Sequence, residues 1–298
     1  MKQQSKWTLF IGGAIVILGV LVFIVSEKNG YGPAGLSLSS PTDSQLNSIQ
    51  PATAFIPGSK FSPEGLTVKD TTFVCDSGKA DLNGDGQADQ VILVGEREDN
   101  SPFVQNIQVA LQDASTGKFS IISVGESNVG YEPKLFIGRF TGLHNKDILI
   151  SFATGGSGGV TQYSLLTYKD NQLTSAIPQE ILNKGLELDT KCLPDFNLKV
   201  TDKNTGYTAT IDLHQGKSDY ERLGIYNQNG NLLAKDPLVL VDGFGVLNPE
   251  MNENGIYQLK GIQRISVGYH ANSVANVEST WTVINGQLKL LSENVQPL

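Results

Sequence analysis

The polarity pattern divides the chain into three parts. From Trp7 to Val25 runs WTLFIGGAIVILGVLVFIV, nineteen residues without a charge, close to the roughly 20 that span a hydrocarbon core. Lys2 and Lys6 precede it, so residues 1–6 are predicted to stay cytoplasmic and the chain beyond Val25 to lie outside. The run is long for a secretory signal and no small-residue cleavage pattern follows Val25. An uncleaved single-pass anchor in the cell membrane is therefore expected ahead of a removed signal peptide. Residues 26–66 break every period with Gly30, Pro33, Gly35, Pro41, Pro51, Pro57, Pro63 and Gly65 and read as a flexible extracytoplasmic linker.

Residues 67–298 show a third pattern, short apolar runs separated by turn chemistry. Phe103–Gln112 and Lys118–Val124 flank a polar loop, as do Tyr163–Tyr168 with Leu173–Ile177 and Phe196–Thr201 with Tyr207–Leu213. Asn229-Gly230 and Asn285-Gly286 are hairpin turn pairs. A two-residue turn at Asn285-Gly286 sets a register: Ile284 opposite Gln287, Val283 opposite Leu288, Trp281 opposite Leu290. Trp281, Val283, Leu288 and Leu290 then share one face, as a half-buried ribbon requires. Helix is expected only as a turn or two within Pro178–Leu188 and again within Ser218–Leu223. The 32 glycines add to the case for an all-β fold.

Charge changes the picture little. The net charge of −8 includes +2 from the first 28 residues, leaving about −10 outside the membrane. That balance disfavours nucleic acid and anionic lipid, and suits cations or basic partners.

Candidate chemistry centres on Asp81-Leu82-Asn83-Gly84-Asp85-Gly86-Gln87-Ala88-Asp89, placed just before Val91–Val94. Asp81, Asn83, Asp85 and Asp89 put side-chain oxygens at positions 1, 3, 5 and 9. Gln87 offers its carbonyl at position 7, and Gly86 permits the sharp turn. Ca²⁺ takes six to eight such hard oxygen ligands, so these five residues are the expected metal ligands. The competing reading is a polar turn whose Asp and Asn side chains bond their own backbone. The same nine-residue frame fits Arg139–Asp147 and Glu250–Gln258, whose starts follow at intervals of 58 and 111 residues. A weak further copy falls near Asp195-Phe196-Asn197. Both clear copies have lost most carboxylates and are expected to keep the turn rather than the ion. A period near 57 divides residues 67–298 into about four units, the pattern of arrays and propellers.

The frame D-x-N-x-D-G-x-x-D ahead of a strand resembles the calcium loop of FG-GAP or VCBS repeats. The runs Ser101–Ile107, Lys134–Gly138, Asp147–Ser151, Thr154–Gly159 and Gln263–Ile265 resemble an exported VCBS-repeat family of spore-forming Gram-positive bacteria. The resemblance implies an all-β, propeller-like array of about four repeats behind one N-terminal transmembrane helix, exported and without an assigned activity.

Other features point to no reaction. Thr154-Gly155-Gly156-Ser157-Gly158-Gly159 joins two apolar runs and lacks the Lys-Ser/Thr and helix of a phosphate loop; it reads as a tight inter-strand loop with close backbone approach, which in a propeller would line a channel or a binding face. His144, His214 and His270 have no metal spacing among them, and no nucleophile elbow exists. Cys75 and Cys192, the only two cysteines, are left open between a disulfide and two buried thiols. No catalytic or organic-cofactor residue is nominated. The expected function is a membrane-anchored, calcium-binding surface module taking a protein or glycan ligand. The alternatives are a structural envelope or spore-surface protein and, less favoured, a hydrolase or lyase acting on envelope polysaccharide.

Overall fold

Strands form where the alternation and turn signals place them, and they gather into four successive antiparallel meanders. The computed structural model describes residues 55–98, 101–142 and 146–298. The first unit holds β1 (Thr72–Ala80), β2 (Asp89–Glu96), β3 (Phe103–Gln112) and β4 (Phe119–Ser123). The second holds β5 (Gly130–Gly138), β6 (Asp147–Ala153), β7 (Thr161–Lys169) and β8 (Gln172–Ser175), followed by α1 (Gln179–Asn183). The third has β9 (Leu188–Leu193), β10 (Asn197–Asp202) and β11 (Thr208–Asp212), then α2 (Lys217–Arg222). The fourth is the longest: β12 (Val239–Met251), β13 (Tyr257–Val267), β14 (Ser273–Ile284) and β15 (Gln287–Pro297).

The all-β expectation and the two short helices hold. At Asn285-Gly286 the observed pairs are Ile284–Gln287, Val283–Leu288 and Trp281–Leu290, as the turn pair dictates. Asn229-Gly230 is weaker than expected: it supports one isolated bridge, Tyr226–Leu232, in place of a hairpin.

The apolar run of β2 is explained by its place between two cores. Val91 and Leu93 join Ile107 and Val109 and, from the second unit, Ile148, Ile150 and Phe152. Ile92 and Val94 point the other way, onto Phe61, Val74 and Ala110. A strand covered on both faces needs no polar alternation. Phe61 is fully buried there, and Phe55, Leu66 and Val68 pack against the same cluster. Packed structure therefore begins before residue 67; the apolar side chains interleaved with Pro57, Pro63 and Gly65 supply the burial that a free linker lacks. A third and larger core is shared by the second, third and fourth units through Tyr163, Leu165, Phe196, Leu198, Phe244 and Trp281.

The propeller expectation needs correction. The described strands form open sheets of eight, three and four strands, which do not close into a ring. The first two units merge into one sheet where the end of β3 pairs β5 at Phe103–Tyr131 and Val104–Gly130. The fourth unit lies against the second: Leu247 N–H donates to the Tyr163 hydroxyl (2.8 Å), Thr161 Oγ1 donates to the Gly245 carbonyl (3.1 Å), and Tyr257 N–H donates to the Arg139 carbonyl (2.6 Å). The third unit meets the last strand, where Thr205 Oγ1 donates to Glu293 (2.5 Å). A ring of units in chain order would place the third between the second and the fourth.

The expected membrane helix at 7–25 and residues 26–54 of the linker lie outside the described residues. Among the described residues no helix is long and apolar enough to cross a membrane.

Candidate functional site

The five expected ligands sit together on the β1–β2 turn, where left-handed Gly84 (φ 80°) and Gly86 (φ 86°) reverse the chain sharply. Their side chains are turned onto the loop's own amides. Gly84 and Gly86 N–H donate to the two Asp81 oxygens (2.7 and 3.0 Å), Asp85 N–H to Asn83 Oδ1 (2.9 Å), and Gln87 N–H to Asp85 Oδ1 (2.7 Å). Asp89 behaves differently. It is fully buried, and its two oxygens accept Leu82 N–H (3.1 Å) and Ala114 N–H (3.0 Å). Asp89 is thus a clamp that fixes the loop and ties it to the β3–β4 turn.

The second copy shows what the repeated frame preserves. Asp147, equally buried, accepts Phe140 N–H (2.8 Å) and Thr141 N–H (3.0 Å). Position 9 therefore bonds back to position 2 in both loops, and position 2 is a buried side chain in each, Leu82 or Phe140. Residues 143–145 of this loop, His144 among them, lie outside the described residues. In the last copy Asn252 Oδ1 accepts Asn254 and Ile256 N–H (2.9 and 3.1 Å), an ordinary polar turn. Near Asp195-Phe196 the turn is kept with both residues left-handed (φ 60° and 50°) and Phe196 buried.

Asp113, on the neighbouring β3–β4 turn, joins the first loop by accepting from Asn83 Nδ2 (3.1 Å). Sequence reading missed it because it lies 30 residues away. Hydrogen bonds from the Ser115 hydroxyl and the Thr116 amide and hydroxyl hold its carboxyl down to about 2. The Tyr168 hydroxyl is pushed up, by burial first and then by the charges of Asp113, Asp89 and Asp85. Among the described residues, no Lys, Arg or His forms an ion pair with Asp81, Asp85, Asp89 or Asp113. The corner carries uncompensated negative charge.

The donors suit a hard cation in kind, because each carboxylate oxygen keeps a lone pair beyond its amide contact. They do not converge: among the described residues no three acidic, His or Cys side chains gather around one point. Coordination would require Asp81 and Asp85 to turn an oxygen inward.

A second place of interest is a cleft of about 390 Å³ between the β6–β7 loop and the β12–β15 sheet. Gly158 and Gly159 form one wall, Gly243 and Gly245 another, and Arg264, Ser273 and Asn276 contribute side chains. The register of β12 slips between Val241 and Phe244 and again between Phe244 and Val246, so both wall glycines stand at bulges, which re-aim a strand locally. The glycines allow close approach: a Cβ on Gly158 would lie 2.8 Å from Asp242 Oδ1, and one on Gly159 would lie 2.6 Å from Arg264 Nη2. Behind the wall, buried Asp242 has His270 Nδ1 3.0 Å from its Oδ1 and 3.4 Å from its Oδ2, and lies 3.9 Å from Arg264 Nε. Arg264 also donates through Nη2 to the Gly158 carbonyl. The Thr154–Gly159 loop read from sequence is therefore part of a cleft, whereas Asp242, Arg264 and His270 carry no local spacing that would have joined them.

Cys75 and Cys192 are both free. Burial pushes the Cys75 thiol up to about 12, with the Arg97 charge acting against it, and raises Cys192 as well. Neither has the character of a reactive thiolate.

Fold and corner define an all-β protein of four meanders bearing an acidic turn. By sequence the chain belongs to the YybI family. Residues 186–296 match the YybI C-terminal domain, and the chain is 30% identical over 218 residues to the uncharacterized protein YybI of Bacillus subtilis (strain 168), covering 71% of this chain and 79% of that protein. This corrects the FG-GAP or VCBS resemblance. The frame that suggested it is a turn held by a buried Asp and left-handed glycines, a local solution that does not define a family. Among solved structures the chain is similar to the exotype rhamnogalacturonan lyase YesX (18% identity, TM-score 0.33) and a Bacillus licheniformis rhamnogalacturonan lyase (13%, TM-score 0.31). Each match covers 75% of this chain but only about a third of the lyase (33% and 34%). A likeness at that level carries no argument about fold or activity.

Proposed function

We propose that the protein is a membrane-anchored, extracytoplasmic binding module whose first turn takes Ca²⁺. The observation that carries this reading is the uncompensated corner, where Asp81, Asp85, Asp89 and Asp113 lie together without a cationic partner among the described residues. The ion would be held by Asp81, Asn83, Asp85 and the Gln87 carbonyl, with Asp89 fixing the loop behind them. It would add positive charge where the fold concentrates negative charge, and tie the β1–β2 turn to its neighbour. The inward rotation of Asp81 and Asp85 costs existing hydrogen bonds, which suits the weak range of extracellular calcium modules, about 10⁻⁴–10⁻³ M. The role is structural, and the module's partner is a protein or glycan outside the cell.

Residues 7–25 supply the anchor in this reading, with the folded body facing outward. The test is topology. In cells carrying the full chain, the protein should remain with membranes through high-salt washing, dissolve in detergent, and be digested by protease added outside intact cells. Release by salt, or complete protection from external protease, would contradict the reading.

A further inference from the structure

We propose that the cleft between the β6–β7 loop and the β12–β15 sheet binds the carboxylate of a small hydroxylated acid, a sugar acid in chemical class, with Arg264 as the recognising group. This deepens the binding-module reading and rests on it for the cleft having an occupant; it is independent of the calcium turn.

Arg264 is the one charged side chain lining the cleft among the described residues. A guanidinium has five N–H donors in a fixed fork that matches a carboxylate edge. One arm is held by the Gly158 carbonyl, which orients the fork without exhausting it. Asp242 is 7% exposed and stands 3.9 Å from Nε, so it offsets part of the cation's charge from behind. A half-balanced cation suits a single negative charge better than a phosphate dianion. Asp242 is itself occupied by His270 at 3.0 Å, which leaves Arg264 the less engaged member of the pair.

The rest of the lining offers neutral hydrogen-bonding groups. Asn276 lies directly across the strand pair from Arg264 and lines the same cleft, where its amide offers a donor and an acceptor to a ligand hydroxyl. Ser273 adds a hydroxyl, and at Gly245 the bulged backbone meets only the Gly159 and Ile262 carbonyls, whereas Val160 packs against Gly243. Val246 and Ile262 supply a modest apolar floor. A volume of about 390 Å³ falls at the lower end of small-molecule sites, which favours one or two sugar rings.

The experiment is calorimetric titration of the full chain in detergent, with EDTA present so that the outcome does not depend on calcium. D-glucuronate is the acidic probe, D-glucose its neutral counterpart and D-glucose 6-phosphate the dianionic one. Glucuronate should bind measurably and tightest of the three. Arg264→Gln should weaken it by about tenfold to a hundredfold, as loss of a charge-assisted contact does. Because Arg264 also bonds Gly158, Asn276→Ala provides the second variant: among the described residues no hydrogen bond holds that side chain, and about threefold to tenfold weakening is expected without a change in melting temperature. The inference is overturned if glucuronate does not bind, if glucose or the phosphate binds as well as glucuronate, or if Asn276→Ala and Arg264→Gln both leave its affinity unchanged.

Discussion

Single carboxyls in this protein do opposite jobs according to what surrounds them. Asp113, half-buried and accepting from Asn83, Ser115 and both groups of Thr116, is held down to about 2. Glu293 is raised, by burial first and with Asp202 adding to it against the Thr205 hydrogen bond. Asp202 Oδ2 and Glu293 Oε2 are both buried without a hydrogen-bond partner, so the third unit meets the last strand where burial, and then the neighbouring Asp202, favour the protonated form of Glu293. Because Glu293 holds its proton more tightly in the folded than in the unfolded chain, its contribution is fully present below the ordinary carboxyl range. It is lost as pH rises through the raised folded value. Glu293→Gln removes that titration. Urea unfolding should show the variant gaining stability relative to the wild type between pH about 4 and pH about 7. A constant difference across that window would contradict the pairing.

At the scale of the element, the β-turn with its buried carboxylate is the unit that recurs. Asp89 and Asp147 each accept two backbone N–H groups from within a fully buried position. Asp89→Ala or Asp147→Ala leaves both amides unpaired, at about 1–3 kcal/mol each, so a loss of about 2–6 kcal/mol is expected. Urea midpoints should fall with the m-value unchanged, and Asp89→Asn should cost less because one acceptor oxygen remains.

The loops show why part of the molecule was legible from sequence and part was not. The period, the hairpin at Asn285-Gly286 and the two short helices follow from local chemistry, and the structure agrees with them. The clamp role of Asp89 was not legible because a ligand and a clamp use the same residue type. Only burial and the Ala114 amide, 25 residues away, separate the two. Asp113, Asp242, Arg264 and His270 meet through pairings between units, which no local pattern encodes. The apolar residues Phe55, Phe61, Leu66 and Val68 were masked by the prolines and glycines between them.

At the scale of the whole molecule, the four units start at Thr72, Gly130, Leu188 and Val239. They pack as open sheets, with the fourth unit in direct contact with the second. The YybI C-terminal match over 186–296 covers the last two units, and the acidic turn lies in the first. Calcium on that turn would therefore act on the part of the chain outside the matched domain while stabilising one cooperative body. At ten times the dissociation constant the ion adds roughly 1.4 kcal/mol, which for a body of this size raises the melting temperature by about 3–6 °C.

Thermal unfolding of the full chain in detergent, with millimolar Ca²⁺ and with EDTA, tests that account most directly. The melting temperature should rise by about 3–6 °C with calcium, return with EDTA, and lose its calcium response in Asp81→Ala/Asp85→Ala. An identical melting temperature in both conditions, or a rise that survives the double substitution, would contradict it.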